Sequence, residues 1–281
     1  CSNNFANLSI TNLDLDIYFI NNLKYYIYNM FINNFDPVAF YLFSLEIRWY
    51  SLAYIFGLIL GWFYCKKFLI KNGKILELFD DLISYLIIGI IVGGRLGYIL
   101  FYNLEYYLVN LSETIMIWKG GMSFHGALIG IIIFTYLFSK KHKVNEFIFL
   151  DLISVTAPIG IFFGRITNFI NGELVGKITD VYWSVIFPNV DSFSRHPSQL
   201  YEAILEGIVL FILMNFIYFR SNYRIGVCSS MFLIFYGTFR IFCEFFREPD
   251  VQIGYIFGSI SMGILLSIIM VLFGITLYLK K

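Results

Sequence analysis

The sequence has few charged residues for its length. Only 14% of its 281 residues are charged, whereas a soluble domain is usually about a quarter charged. The mean hydropathy is +0.74. A chain with so little charge cannot cover itself with a water-compatible surface, so the composition excludes a soluble enzyme and indicates a membrane protein.

Neither sign of charge is in excess, and cysteine and histidine are scarce. Lys and Arg number 20 against 19 Asp and Glu, which argues against a nucleic-acid partner. The four cysteines are scattered, form no CxxC pair and have no histidine at ligand spacing. We therefore expect neither a disulfide framework nor a metal site. No cleavable signal peptide is visible, since the first strongly apolar run begins near Ile47.

Long apolar runs dominate the rest of the chain. A helix needs about 20 apolar residues to cross a bilayer, and seven segments meet that length approximately. The sequence thus predicts an all-α, polytopic membrane protein with seven transmembrane helices in a membrane domain that covers residues 46–281. The predicted spans are Ile47–Tyr64, Leu82–Tyr102, Gly121–Phe138, Phe147–Phe169, Leu200–Phe219, Val227–Cys243 and Gly254–Leu279.

Two polar segments lie outside these spans. The stretch 171–198 contains two prolines and is typical of a small extracytoplasmic lobe. The Asn-rich segment 1–45 is expected outside the membrane, either along its surface as a short amphipathic segment or disordered.

The positions of Lys and Arg predict the orientation. With seven spans, eleven of these residues fall on one side and six on the other. Because positive residues concentrate in cytoplasmic loops, we expect the N-terminus outside and the C-terminus in the cytoplasm.

Polar residues within the spans gather at one depth. Arg95, Arg165 and Arg240 each fall past the midpoint of a span that runs outward, and His125 stands near the outer end of the third. Tyr50, Glu202 and Glu206 lie on the same side. Charged groups in a membrane cost at least about 2.5 kcal/mol each and mark functional sites by default. The sequence therefore predicts a site just below the outer headgroups.

The sixth span carries a polar stripe. Tyr236, Arg240, Glu244 and Arg247 are spaced so that they share one helical face. Planar arginine forks match phosphate oxygens, so a pair of arginines with a histidine suits an anionic lipid head and an activated nucleophile.

Each feature taken alone also has a structural interpretation. Arg240 could only pair with Glu244, and Arg95 could support packing of its glycine-rich helix or contact a ligand. Glu202 and Glu206 are predicted to be partners of arginines rather than catalytic acids. His125 alone would be a buried structural histidine. The convergence of these residues favours function.

Four segments carry a family resemblance. Residues 164–176, GRITNFINGELVG, closely resemble the defining motif of prolipoprotein diacylglyceryl transferases. Residues 118–130 resemble the family's histidine-glycine motif, and residues 195–202 and 236–247 complete the set in order. The match runs from about Asp36 to the C-terminus.

The resemblance implies a reaction and its partners. The family moves the diacylglyceryl group of phosphatidylglycerol, a membrane lipid, onto the lipobox cysteine of a preprolipoprotein carrying its signal peptide. The products are a thioether and glycerol phosphate. No metal or organic cofactor is expected. The enzyme would act in the bacterial inner (plasma) membrane, with its site toward the outer leaflet.

The family motifs also imply roles for individual residues. Arg165 and Arg240 would hold the phosphate, and either His125 or Tyr236 would accept the thiol proton. The other predicted substrate-binding residues are Tyr50, Asn168, Glu173, Gly176, Glu244 and Arg247. Of these, Asn168, Glu173 and Gly176, together with Asn171, would shape the mouth of the site.

Three other classes of protein fit the sequence less well. A transporter would place polar residues through the whole bilayer depth. The inner halves of these spans contain almost no charged residues apart from Asp151. The nucleophile turn of an intramembrane serine protease needs small residues directly beside the serine, whereas Ser123 stands between Met122 and Phe124. A membrane scaffold would not need buried arginines.

Overall fold

A computed structural model describes residues 31–43, 45–220, 224–249, 254–256 and 260–280. The first 30 residues of the predicted segment 1–45, and Lys281 of the predicted cytoplasmic tail, lie outside the described residues.

Most of the described chain is helical, as the sequence predicts. The helices are α1 (Trp49–Leu69), α2 (Gly73–Tyr102), α3 (Leu104–Val109), α4 (Phe124–His142), α5 (Glu146–Asn171), α6 (Ser198–Tyr218), α7 (Val227–Glu244) and α8 (Met262–Leu279). Helices α1 and α6 each contain a π-turn, over Cys65–Leu69 and Ala203–Val209. Two 3₁₀ turns, Leu111–Ile115 and Ile117–Lys119, lie between α3 and α4.

Five of these helices are long and apolar enough to cross a membrane, namely α1, α5, α6, α7 and α8. The second and third predicted spans, Leu82–Tyr102 and Gly121–Phe138, overlap α2 and α4, and the one bound they share is the end of α2 at Tyr102. At 1.5 Å per residue α2 is about 45 Å long, so it extends beyond the apolar core, and its first part carries Lys74, Glu77, Asp80 and Asp81. The apolar part of α4 is shortened by the basic residues Lys140 and Lys141 in its last turn. The count of seven spans stays a prediction.

Short strands are an addition to the predicted all-helical chain. They lie before α1 and in the connections after α5 and α7, where the backbone needs partners from neighbouring segments. β2 (Val38–Leu42) and β3 (Leu45–Arg48) form an antiparallel hairpin directly before α1. β1 (Phe31–Ile32) pairs in parallel with β4 (Val185–Ile186), which pairs antiparallel with β5 (Ser194–Arg195).

Because of a last hairpin, α8 starts later than the sequence predicts for the seventh span. β6 (Tyr255–Ile256) pairs with β7 (Ile260–Ser261), whereas the seventh span was predicted to begin at Gly254. Gly254 has a left-handed backbone with φ +64°, and the Ser261 hydroxyl accepts a hydrogen bond from the amide of Ile264 at 3.2 Å. Gly254 therefore lies directly before the hairpin, and the Ser261 cap begins the helix at Met262, eight residues later than predicted.

Glycines allow α2 and α4 to approach closely. A Cβ atom on Gly97 would lie 2.5 Å from Cα of Gly126, and one on Gly89 would lie 2.9 Å from the carbonyl oxygen of Gly130. Contacts below 3.0 Å are not tolerated by real side chains. The small residues predicted to support packing therefore hold these two helices in one register.

Helix α5 lies at the centre of the helix packing and contacts α1, α4, α6 and α7. The apolar core is formed largely away from the arginines, by Leu82, Phe138, Phe149 and Met214 among others. Near the start of α5, Asp151 is fully buried and accepts hydrogen bonds from the backbone amides of Gly226 (2.5 Å) and Ser229 (2.7 Å). These bonds tie the start of α7 to α5, so both helices carry their arginines to the same end of the molecule.

Candidate active site

Four charged residues from three helices form a buried ionic cluster. The Glu202 carboxylate bridges two guanidiniums, with Oε2 2.9 Å from Nη1 of Arg165 and Oε1 2.5 Å from Nη1 of Arg240. Glu206, one helical turn later, lies 3.0 Å from Nη2 of Arg165. Both carboxylates are fully buried. The two arginines predicted to act together are therefore joined by a shared carboxylate.

The cluster continues along α7. Glu244 lies 2.5 Å from Nη2 of Arg240, four residues earlier, and 3.2 Å from Nη1 of Arg247, three residues later. Its second oxygen accepts a hydrogen bond from the Ser261 hydroxyl at 2.7 Å. The predicted stripe on the sixth span is thus a chain of alternating charges.

The cluster contains equal numbers of opposite charges. Three arginines, Arg165, Arg240 and Arg247, face three glutamates, Glu202, Glu206 and Glu244. An unpaired buried charge costs several kcal/mol, so each charged group here is stabilised by the opposite charges next to it. The predicted role of Glu202 and Glu206 as partners of arginines agrees with this geometry.

A second polar group lies at the end of α5. The Asn168 amide donates to the Tyr50 hydroxyl at the start of α1 and to Glu173 Oε2 at 3.4 Å. The Asn171 amide donates to the other Glu173 oxygen at 3.3 Å. Three residues predicted to bind substrate are therefore connected, one helical turn from Arg165.

His125 and Tyr236 both contact the ring of Phe124. The ring of Phe124 stacks on Tyr236 with centroids 4.7 Å apart and is adjacent to His125. His125 interacts electrostatically with Arg240 and Arg165. Its Nε2 atom is buried and, among the described residues, has no hydrogen-bond partner. A buried ring nitrogen without a hydrogen-bond partner calls for a functional explanation. The geometry does not decide whether His125 or Tyr236 is the base.

A large apolar cavity opens beside this group. It has a volume of about 750 Å³ and its lining follows α5 from Glu146 to Asn168, about 33 Å along the helix axis. Tyr50, Arg165 and Asn168 line its polar end. Arg240 lies behind Arg165, to which it is linked through Glu202. A chamber with one cationic end and apolar walls suits an anionic lipid.

Gly176 belongs to the segment 171–198, the predicted lobe, and joins it to the end of α7. Its amide donates to the His196 carbonyl at 3.1 Å, and its carbonyl accepts from Nη1 of Arg195 at 2.9 Å. It also pairs through the backbone with Arg247. A Cβ here would lie 2.6 Å from the His196 Cβ. Gly176 therefore connects this segment to the end of the charged stripe through its backbone. It has no side chain that could reach the cavity.

The lobe contains its own ion pair. Arg195 Nη2 lies 2.5 Å from Oδ2 of Asp191. Hydrogen bonds from this guanidinium hold the pKa of Asp191 below its usual range. Burial lowers the pKa of His196, which therefore stays neutral near pH 7.

Arg95 is a structural residue by its contacts. Its guanidinium donates to backbone carbonyls, including Thr114 at 2.9 Å and Gly120 at 2.5 Å, and lies 5.0 Å from the centre of the Tyr107 ring. Of the two interpretations left open for this residue, packing support fits these contacts and binding of a ligand does not.

Sequence reasoning missed three residues that support the site. Phe124 stacks on Tyr236, Ser261 binds Glu244, and the buried Gln199 amide donates to the Glu173 carbonyl at 2.6 Å. Phe124 and Gln199 lie within the family motifs at 118–130 and 195–202, and this position in the sequence could have identified them as residues of the site. Ser261 follows a chain reversal that no spacing rule predicts.

Within the described ranges, no group of three or more His, Cys, Asp or Glu side chains is arranged to hold a metal ion.

The chain is similar to a known family of proteins. The family profile described as prolipoprotein diacylglyceryl transferase matches residues 37–280. A phosphatidylglycerol–prolipoprotein diacylglyceryl transferase of Rickettsia bellii (strain OSU 85-389) is 50% identical over 254 residues, covering 88% of this chain and 95% of the relative. The transferase of the same name from Ehrlichia canis (strain Jake) is 51% identical over 245 residues, covering 85% and 93%.

Proposed function

Because the chain belongs to the prolipoprotein diacylglyceryl transferase family, we propose that it transfers the diacylglyceryl group of phosphatidylglycerol to the lipobox cysteine of a preprolipoprotein. This is the first step of bacterial lipoprotein maturation. The observation that carries the proposal is the apolar cavity whose polar end is formed by Arg165, next to the carboxylate-bridged Arg240.

The reaction is a displacement at the glyceryl carbon that bears the phosphate. The cysteine sulfur forms a bond to this carbon, the carbon–oxygen bond to phosphate breaks, and glycerol phosphate leaves with the bonding electrons. The thiol proton goes to a base, because the thiolate is the nucleophile. Negative charge grows on the departing phosphate, and preorganised positive charge in a dry site lowers such a barrier by several kcal/mol.

Arg165 binds the lipid phosphate in this proposal. Its guanidinium lines the cavity and is fixed on both edges by Glu202 and Glu206. Arg240 adds positive potential from behind through the shared carboxylate of Glu202. Because the cluster is neutral without substrate, an incoming phosphate diester competes with a carboxylate for the Arg165 fork. That competition lets the phosphate be released after transfer.

The acyl chains of the lipid occupy the apolar part of the cavity. Its walls include Leu86, Ile131, Ile161 and Phe232, which offer no polar group to the chains. Burying an acyl chain contributes about 0.8 kcal/mol per CH₂ group. The apolar walls hold the lipid while the arginine end orients its phosphate.

His125 is the proposed general base, with Tyr236 as the competing candidate. A base must approach the thiol within about 3 Å, and the buried Nε2 of His125 has no competing partner among the residues described. Tyr50, Asn168 and Glu173 orient the glycerol end of the substrate by their hydrogen bonds. Gly176, Glu244 and Arg247 shape the mouth of the site where the peptide approaches.

We further propose seven transmembrane spans, α1, α2, α4, α5, α6, α7 and α8, in the bacterial inner membrane. The N-terminus is outside, the C-terminus is cytoplasmic, and the site faces the outer leaflet with residues 171–198 as the extracytoplasmic lobe. The excess of Lys and Arg after α1, α4 and α6 supports this orientation. The substrate peptide, which is translocated before lipidation, then meets the site on the correct side.

The test is a transfer assay with the purified full chain. The protein is incubated with phosphatidylglycerol vesicles and a lipobox peptide, and the peptide mass is measured. We expect a mass gain of one diacylglyceryl group on the cysteine peptide and none on a matched cysteine-to-serine peptide. An unmodified cysteine peptide with folded enzyme would contradict the proposal, and so would modification of both peptides.

A further inference from the structure

Arg95 makes an unusual set of contacts for a buried arginine. It lies on α2, is 4% exposed, and all three of its nitrogens donate to the loop that precedes α4. Nε donates to the Thr114 carbonyl at 2.9 Å, Nη1 to Gly120 at 2.5 Å and Nη2 to Glu113 at 2.6 Å. Two longer bonds of 3.3 Å reach the carbonyls of Gly121 and Met116.

Only an arginine can make these bonds together. The guanidinium presents five donors in a rigid plane, whereas a lysine presents one compact ammonium group. The loop from Glu113 to Gly121 has little regular structure of its own beyond two short 3₁₀ turns. Its shape therefore depends on the planar group at its centre.

The loop leads directly into the first turn of α4. Next to Arg95, the Gly94 carbonyl accepts a hydrogen bond from the Ser123 amide at 2.9 Å. The Ser123 hydroxyl in turn accepts from the Gly126 amide at 3.2 Å and caps the helix. His125 lies between these two residues, so its backbone position follows from where the loop ends.

A second contact closes the loop against α2. Gly121 has φ +84°, and a Cβ atom there would lie 2.5 Å from Cε1 of Tyr98. Helix α2 thus holds the loop at Arg95, Gly94 and Tyr98, within about one helical turn. A displacement at any of these positions moves the start of α4.

We propose that Arg95 is a positioning residue for the transfer reaction: by holding the loop 113–121 it places His125 for proton transfer. This inference rests on the proposed function. His125 Nε2 has no hydrogen-bond partner among the described residues, so its placement depends on the backbone. A displacement of 1 Å can cost about a hundredfold in rate. Arg95 itself does not line the lipid cavity, whereas Ser123 and Phe124 at the start of α4 do, so its loss reaches the lipid only through the position of α4.

The first test compares Arg95→Lys with Arg48→Lys. Arg48 is exposed and paired at 3.1 Å with the exposed Glu46, so it is a matched control for loss of a guanidinium. We expect Arg95→Lys to lower kcat for lipid transfer about tenfold or more, by a larger factor than it raises KM for phosphatidylglycerol. Arg48→Lys should change neither. A raised KM with unchanged kcat would overturn the proposal, as would equal behaviour of the two variants.

The second test needs no catalytic activity. In a His142→Gln/His196→Gln background, His125 is the one histidine left of the three in the chain. Its reaction with diethyl pyrocarbonate then reports how well the ring is held. We expect His125 to react several-fold faster when Arg95→Lys is added and at an unchanged rate with Arg48→Lys. An unchanged rate with Arg95→Lys would refute the positioning role.

Gly121→Ala provides an independent disturbance of the same loop. The added Cβ collides with Tyr98 and strains the backbone while Arg95 itself is unchanged, so this test holds even if Arg95→Lys does not fold. We expect the same rise in His125 reactivity, and an unchanged rate would contradict the proposal. If the parent enzyme lipidated no peptide, the proposed function would fail, whereas the histidine measurement would still decide whether Arg95 holds the loop.

Discussion

The carboxylate of Glu202 offers the sharpest test of the ionic cluster. It is fully buried and lies 2.9 Å from Arg165 and 2.5 Å from Arg240. Glu202→Gln keeps the shape of the side chain but removes the charge and turns one acceptor into a donor. Two guanidiniums would then face an amide in a medium of low dielectric constant and repel each other.

The magnitude follows from what a buried ion pair costs to break. Removing one partner of such a pair typically costs about 3–5 kcal/mol, and the remaining amide oxygen favours the lower end, about 3 kcal/mol. Each 1.4 kcal/mol of activation free energy changes the rate about tenfold. If the activation free energy rises by the whole of this cost, kcat falls about a hundredfold. Added phosphatidylglycerol should raise the melting temperature of the variant more than that of the parent, because its phosphate replaces the lost charge.

Glu248→Gln is the matched control. Glu248 is half exposed and lies 3.4 Å from Arg195 in the lobe, and exposed ion pairs contribute only about 0–1 kcal/mol. Both variants are assayed for kcat and KM in phosphatidylglycerol vesicles, with melting curves as a check on folding. If Glu202→Gln were as active and as stable as Glu248→Gln, the shared carboxylate would not organise the two arginines.

The remaining predictions concern the other charged and titratable residues. Arg240→Lys keeps the positive charge but loses the fork, so we expect kcat to fall about tenfold or more, and parental activity would contradict a role for the fork. His125→Gln should reduce kcat more than Tyr236→Phe if His125 is the base, by about 10²-fold or more, and the reverse order would reassign the role to Tyr236. The Asp191–Arg195 pair should stabilise the lobe above about pH 4, the unfolded pKa of Asp, and lose this effect as the pH falls through the lowered folded pKa. The difference in melting temperature between the parent and Asp191→Asn should therefore shrink at acid pH, and a constant difference would show that the charge of Asp191 is not involved.

Much of the site could be predicted because helical spacing determines which side chains share a face. The predicted fourth span differs from α5 (Glu146–Asn171) by only one residue at its start and two at its end. Arg240 and Glu244, placed on one face by their spacing of four, are in contact. The meeting of Arg165 with Arg240 was expected from their common depth, and the structure links them through Glu202.

Other features depend on contacts between distant segments. The two-residue strands β1 and β4 pair across about 150 positions of sequence, and such short pairings leave no periodic signal. The hairpin before α8 brings Ser261 to Glu244, although its apolar sequence resembled the start of a membrane span. The role of Arg95 could not be chosen from sequence, because its partners are backbone carbonyls, which every residue carries.

The central claim is that the Arg165 guanidinium binds the phosphate of the lipid substrate. It is tested most directly by solid-state NMR of the enzyme in phosphatidylglycerol vesicles, measuring ³¹P–¹⁵N dipolar coupling with ¹⁵N placed in the arginine guanidinium groups. We expect a short-range coupling in the parent that disappears in Arg165→Lys and persists in Arg48→Lys. An unchanged coupling in Arg165→Lys would contradict the account.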